Sequence, residues 1–132
     1  MAKNLKKHRR CAFHAQSGRC FYCALPVWEE HPERFAQDQK VPTRLLGFLR
    51  NTAEHVVPRQ DAGKDIRNNI VAACWWCNSQ RHRGRQHRAP DYLNYRSWVQ
   101  EMVTAGKWHP VVAHRIANQG QSPSADRKPK VA

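Results

Sequence analysis

EHVVPRQDAGKDIRNNIVAACWWCNSQRH, residues 54–82, holds in one run a strand ending, a polar loop, a returning strand and the start of a helix. The lead-in, LLGFLRNTAEHVV over residues 45–57, is apolar and β-branched enough for one or two strands. Pro58 ends it, because proline has no N–H to give to a ladder. RQDAGKDIRN is a loop by composition, and Asn69-Ile70-Val71-Ala72-Ala73 reads as the returning strand. From Cys74 the chain reads as a helix that ends near Gly84. The expected order is strand, strand, helix.

The helix start carries Cys74-Trp-Trp-Cys77, and an upstream Cys20-Phe-Tyr-Cys23 gives the pattern C-x2-C-x50-C-x2-C. Structural zinc wants four soft or borderline ligands in a tetrahedron, and two such knuckles supply four thiolates. Their long separation means that the fold must bring them together. A redox reading is weaker, since one pair would suffice and neither opens a helix in a βαβ unit. Disulfides would require an oxidising compartment, and the polar, basic start MAKNLKKHRR has no apolar segment of signal-peptide length. No stretch reaches bilayer-spanning length, so the expectation is a soluble, cytoplasmic protein with reduced thiols and no membrane partner. Cys11 is left over and reads as a small buried hydrophobe.

Outside this frame, residues 5–18 read as a short helix stopped by Gly18. Residues 26–43 hold three of the eight prolines and no sustained period, and read as an excursion with one helical turn around Glu33–Gln39. Asp91 can cap a second helix in which Tyr92, Tyr95, Val99, Met102 and Val103 share one face, stopped by Gly106. The end, Asn118–Ala132, is polar, basic and without aromatic residues, and is expected to be disordered. The organisation is one domain over 1–117, with a core about 10–84 and a helical extension 91–117, followed by the tail 118–132. At 132 residues the core is marginal without a staple, which a structural metal would provide.

A net charge of +13 points to an anionic polymer as partner, nucleic acid first, although a merely basic surface carries the same charge. Arg59, Arg67, Arg81, Arg83, Arg85 and Arg88 crowd the quoted stretch, where guanidinium groups would contact phosphates without reading sequence. The alternative is a solvated basic face. Lys107-Trp108-His109 sets aromatic beside basic groups, as nucleic-acid binders do and as ordinary packing also does.

The residues now carry a resemblance. Glu54-His55-Val56-Val57-Pro58, then Asn69-Ile70, then Cys74-Trp75-Trp76-Cys77-Asn78 resemble, in order and spacing, the HNH endonucleases. The resemblance covers about residues 10–84. It implies a small α+β fold, a ββα-metal core braced by a four-cysteine zinc site, with flanking helices. It implies a metal-dependent endonuclease that cleaves double-stranded DNA to 5′-phosphate and 3′-hydroxyl ends. His55 stands at the position of the general base, Glu54, Asn78 and His82 at positions of ligands to the catalytic ion, and Asn69 at a loop-structuring position.

These residue types suit that chemistry. Phosphodiester hydrolysis needs a base for the attacking water and a cation against the charge building on phosphorus. Imidazole is the side chain that exchanges protons near neutral pH. Asn78 and His82, four apart on the expected helix, can face one ion. Hard oxygen donors favour magnesium or manganese, while His82 also admits nickel or zinc. Adjacent strand residues point to opposite faces, so Glu54 and His55 can share a site only where the strand bulges or ends. His8, His14, His31, His87, His109 and His114 read as ordinary surface or core residues. The rival functions are a non-catalytic zinc module that binds nucleic acid and an adaptor that binds stoichiometrically.

Overall fold

β1 (Asn51–His55) and β2 (Ile70–Cys74) pair antiparallel, with Asn51 opposite Cys74 and His55 opposite Ile70, in a computed structural model that describes residues 2–84 and 88–120. α3 (Trp75–His82) starts on the residue after β2, with Cys74 as its N-cap: Cys74 Sγ accepts the Cys77 N–H at 3.3 Å. The α+β reading and its strand, strand, helix order hold. α1 (Ala2–Ala15) packs on the sheet, starting earlier and ending three residues sooner than the sequence pattern suggested. Just past it, the Gln16 carboxamide donates to Ala72 O and accepts from Ala72 N, each at 2.9 Å. That side chain satisfies an edge of β2 that would otherwise invite another strand.

The strand expected across residues 45–49 is instead a 3-10 helix, Thr43–Leu49. Leu45, Leu46 and Leu49 are its buried residues, a one-sided spacing that suits a helical turn against a core rather than period-two alternation. Only from Asn51 does the chain run as a strand. The excursion over 26–43 also holds more order than expected, because α2 (Pro32–Gln39) makes two turns with Pro32 at its first position. α4 (Tyr92–Thr104) is capped by Asp91, whose carboxylate accepts from Leu93 N and Asn94 N, and it buries Tyr95 and Val99.

α5 (Pro110–Gly120) is a separate helix, capped by the buried His109, whose Nδ1 accepts from Val111 N at 3.1 Å. Residues 118–120 therefore belong to a helix and not to a disordered tail, and 121–132 lie outside the described residues. The core wraps the four knuckle cysteines with Tyr22, Val27, Val41, Leu49, Tyr95, Val99 and Val111. Cys11, expected to be buried, is exposed on α1. Among the described residues no helix is long and apolar enough to cross a membrane.

Candidate metal centres and active-site cleft

Cys20, Cys23, Cys74 and Cys77 converge from two distant knuckles, all buried, with their sulfurs within 4.8 Å of one another. Cys23 Sγ and Cys74 Sγ are 3.9 Å apart. Four Zn–S bonds of about 2.3 Å at tetrahedral angles place sulfurs about 3.8 Å apart, so the cluster is compatible with structural zinc. Its surroundings suit thiolates. The Tyr22 and Cys23 amides point at Cys20 Sγ, and the Trp108 indole N–H donates to Cys77 Sγ at 3.3 Å. His109 Nε2 lies 3.6 Å from Cys74 Sγ. Since His109 Nδ1 accepts from the backbone, its proton sits on Nε2 and faces the sulfur. Burial pushes this imidazole down to about 4, which keeps it neutral. Trp108 and His109 are thus donors to the sulfur cluster, and His109 is the satisfied core histidine that the sequence reading allowed, with the sulfur as its partner.

The loop between the strands is tied by Asn69. Its side chain accepts from Val57 N at 2.9 Å and donates to Val57 O and Lys64 O, each at 3.0 Å. Gly63 passes so close to Val57 that an added Cβ would stand 1.6 Å from the carbonyl oxygen, which leaves room for hydrogen alone. The fastened loop brings Asp65 back to His55, whose Nε2 lies 2.7 Å from Asp65 Oδ1. Arg59 also binds Asp65, through Nε at 3.2 Å and Nη2 at 2.9 Å. Arg59 first and His55 second hold the Asp65 carboxyl below its ordinary range. The carboxylate must therefore accept, so Nε2 of His55 carries the hydrogen and Nδ1 keeps the free lone pair.

β1 ends at His55, and both Glu54 and His55 border one cleft of about 560 Å³, together with Arg59, Gln60, Asn78 and His82. The strand ending thus resolves the problem of opposite faces. Glu54 is 2 % exposed. Its Oε2 accepts from Tyr22 Oη at 2.8 Å and Arg81 Nη1 at 2.9 Å, and its Oε1 lies 3.1 Å from His82 Nε2. Burial first, then the Glu54 charge, pushes the Tyr22 hydroxyl far above its ordinary pKa, so it stays a donor. Asn78 Nδ2 donates to Thr52 Oγ1 at 3.0 Å, which leaves its Oδ1 as the atom with lone pairs to offer. Within this set, Glu54 and His82 are spaced as two ligands of one divalent cation would be. Two bonds of about 2.1 Å at a right angle span about 3.0 Å, close to the Glu54–His82 separation.

The basic residues divide. Arg81 is 1 % exposed and donates to Glu54, to the His55 and Val56 carbonyls, and twice to Pro90 O. It is an internal tie, which corrects its reading as a phosphate contact: a guanidinium with its donors directed inward has none to offer a partner. Arg59, Arg67, Arg83 and Arg88 are exposed, Arg59 bridging to Asp65 and Arg88 lying 3.8 Å from Asp61. Arg85 lies outside the described residues.

Sequence reasoning missed Asp65, Tyr22 and Thr52. Asp65 is ten residues from His55 across a loop, and only its acidic character in a basic stretch could have flagged it. Tyr22 sits inside the first knuckle, where its hydroxyl has no local signal. The comparisons agree with this geometry: residues 43–84 match the family model described as HNH endonuclease, whereas neither the curated proteins nor the solved structures gave a match. The matched residues run from the 3-10 helix through β1, the Asn69 loop, β2 and α3, so the ββα unit is the part of the chain that is similar to HNH endonucleases, and the similarity points to a nucleic-acid substrate.

Proposed function

We propose that this chain is a metal-dependent DNA endonuclease in which His55 is the general base. One observation carries the reading. His55 has one ring nitrogen fixed by Asp65 and borders the same cleft as Glu54, Asn78 and His82. Nδ1 of His55 would take the proton from the attacking water, while the Nε2–H bond to Asp65 holds the ring and favours the imidazolium that forms. Asp65 is a positioning residue. Glu54 Oε1, Asn78 Oδ1 and His82 Nε2 would hold a divalent cation, magnesium or manganese by their oxygen content. When bound, such an ion neutralises charge on the phosphate and on the leaving 3′ oxygen. Arg81 and Tyr22 fix the Glu54 carboxylate through its other oxygen. The four thiolates would hold zinc in a structural role.

The test is nicking of supercoiled plasmid with magnesium, manganese or chelator. His55→Ala should keep folding, zinc and DNA binding and lose cleavage by at least about 100-fold. Asn78→Ala should lose activity that returns in part at higher manganese, a rescue that a missing base cannot show. Equal cleavage by His55→Ala and the parent would overturn the mechanism, and binding without turnover by the parent would identify a non-catalytic module.

A further inference from the structure

A second, smaller recess opens at the other end of α3. It has a volume of about 270 Å³ and is lined by Arg44, Gly47, Phe48, Arg50 and Trp75. Trp75 is 40 % exposed, so part of its indole is open to a partner. Phe48 stands beside it with ring centroids 6.2 Å apart and is backed edge-on by Trp76 at 5.5 Å. The wall is rigid: Leu45, Leu46 and Leu49 anchor the 3-10 helix in the core, and Trp75 N donates to Arg50 O at 2.9 Å. Arg44 and Arg50 are exposed, and no acidic residue lines the recess.

We propose that this recess stacks an unpaired nucleobase of the substrate, with Trp75 and Phe48 as the aromatic faces and Arg44 and Arg50 on the flanking phosphates. The inference rests on the nuclease reading and extends it to a preference for substrates with unpaired nucleotides near the cut. Aromatic faces beside arginines suit a base because every base has a π-face and every nucleotide a phosphate. The position relative to the cleft also suits this use. Trp75, Asn78 and His82 recur at helical spacing on α3, and seven residues rise about 10.5 Å. That is about three nucleotide steps at roughly 3.4 Å per step on one strand. A base held by Trp75 would belong to the strand presented to Glu54, His55 and His82, a few nucleotides from the scissile phosphate.

The experiment measures binding of the full chain, in a His55→Ala background without added divalent cation, to two labelled DNAs: a blunt duplex and the same duplex with a five-nucleotide single-stranded extension. The extended DNA should bind about 10-fold tighter, the ratio expected from one stacked base. Trp75→Ala should erase that preference and leave blunt-duplex affinity unchanged, and Trp75→Phe should keep part of it. Gly47→Leu is the independent variant. Gly47 lines the recess and a Cβ there meets nothing within 4 Å, so a side chain can be added at its wall, and it too should erase the preference. Zinc content, measured on each variant, reports whether the knuckle beside Trp75 is intact. Equal affinity for the two DNAs, or a preference that survives both Trp75→Ala and Gly47→Leu, overturns the stacking site. The nicking assay reads the nuclease separately: plasmid uncut by the parent while the preference persists sinks the cleavage reading alone, and no binding to either DNA sinks both.

Discussion

Arg81→Met separates two physical roles for one guanidinium. If Arg81 contacted phosphate, its loss would cost DNA affinity and leave the fold alone. In the structure it is buried, paired to the buried Glu54 at 2.9 Å, and bonded to three backbone carbonyls, those of His55, Val56 and Pro90. Methionine fills much of the volume but leaves the carboxylate without its cation and the carbonyls without donors. Breaking one side of a buried ion pair costs about 3–5 kcal/mol, against a total stability of about 5–15 kcal/mol for a domain. At roughly 4 °C per kcal/mol the midpoint of thermal unfolding should fall by on the order of 15 °C. Circular dichroism of zinc-loaded protein measures this, with urea unfolding as a second scale. A midpoint within about 2 °C of the parent, with a slope of log affinity against log salt shallower by about one unit, would refute the internal-tie argument and restore the phosphate contact. The double variant Arg81→Met, Glu54→Gln should recover part of the loss, because the neutral amide removes the unpaired charge.

The other predictions are more local. One zinc per chain should be found by elemental analysis, and Cys23→Ser or Cys74→Ser should lower both zinc content and stability; a metal-free protein with an unaltered fold would remove the zinc assignment. DNA affinity should fall steeply with salt, and replacing exposed Arg59, Arg67, Arg83 or Arg88 should each reduce the log–log slope by about one unit, whereas affinity indifferent to salt would contradict a phosphate-dominated footprint. Asp65→Asn should cut the rate by about 100-fold with DNA binding intact, since an amide no longer enforces the Nε2–H tautomer; a parental rate would remove its positioning role. The Asp65 carboxyl is held below its ordinary value, so its contribution is complete above about pH 4 and is lost only as pH falls through that lowered value. Between about pH 5 and 8 Asp65 therefore stays ionised, and any loss of activity in that range should not come from its own protonation.

The ββα frame was legible because its signals are local. Pro58 stops a strand, Asn69-Ile70 begins its partner, and Cys74 caps a helix, each within a few residues of its effect. The 3-10 helix over Thr43–Leu49 was misread because an apolar run of that length has no period that separates a buried helical turn from a strand, and its leucines point one way only once a core exists. Arg81 was misread for a related reason. Sequence shows a charge in a basic stretch, but whether a guanidinium turns inward depends on a carboxylate 27 residues away and on carbonyls freed where β1 ends. His109 shows the same limit at 35 residues from Cys74.

These long-range partners explain why the sulfur cluster and the cleft belong to one device. Tyr22 sits between Cys20 and Cys23, and its hydroxyl reaches Glu54 at 2.8 Å. Cys74 ends β2 and caps α3, the helix that carries Arg81 and His82 to the same carboxylate. Each knuckle therefore extends directly into one side of the Glu54 environment: the first supplies its hydroxyl donor, the second its cation and its imidazole neighbour. A metal joining the knuckles would fix the distance between those two sides, and with it the position of Glu54 Oε1 relative to His82 Nε2. Loss of one thiolate should then reach the cleft as lost geometry before the chain unfolds. Reduced cleavage with the fold still cooperative would be the mark of that coupling.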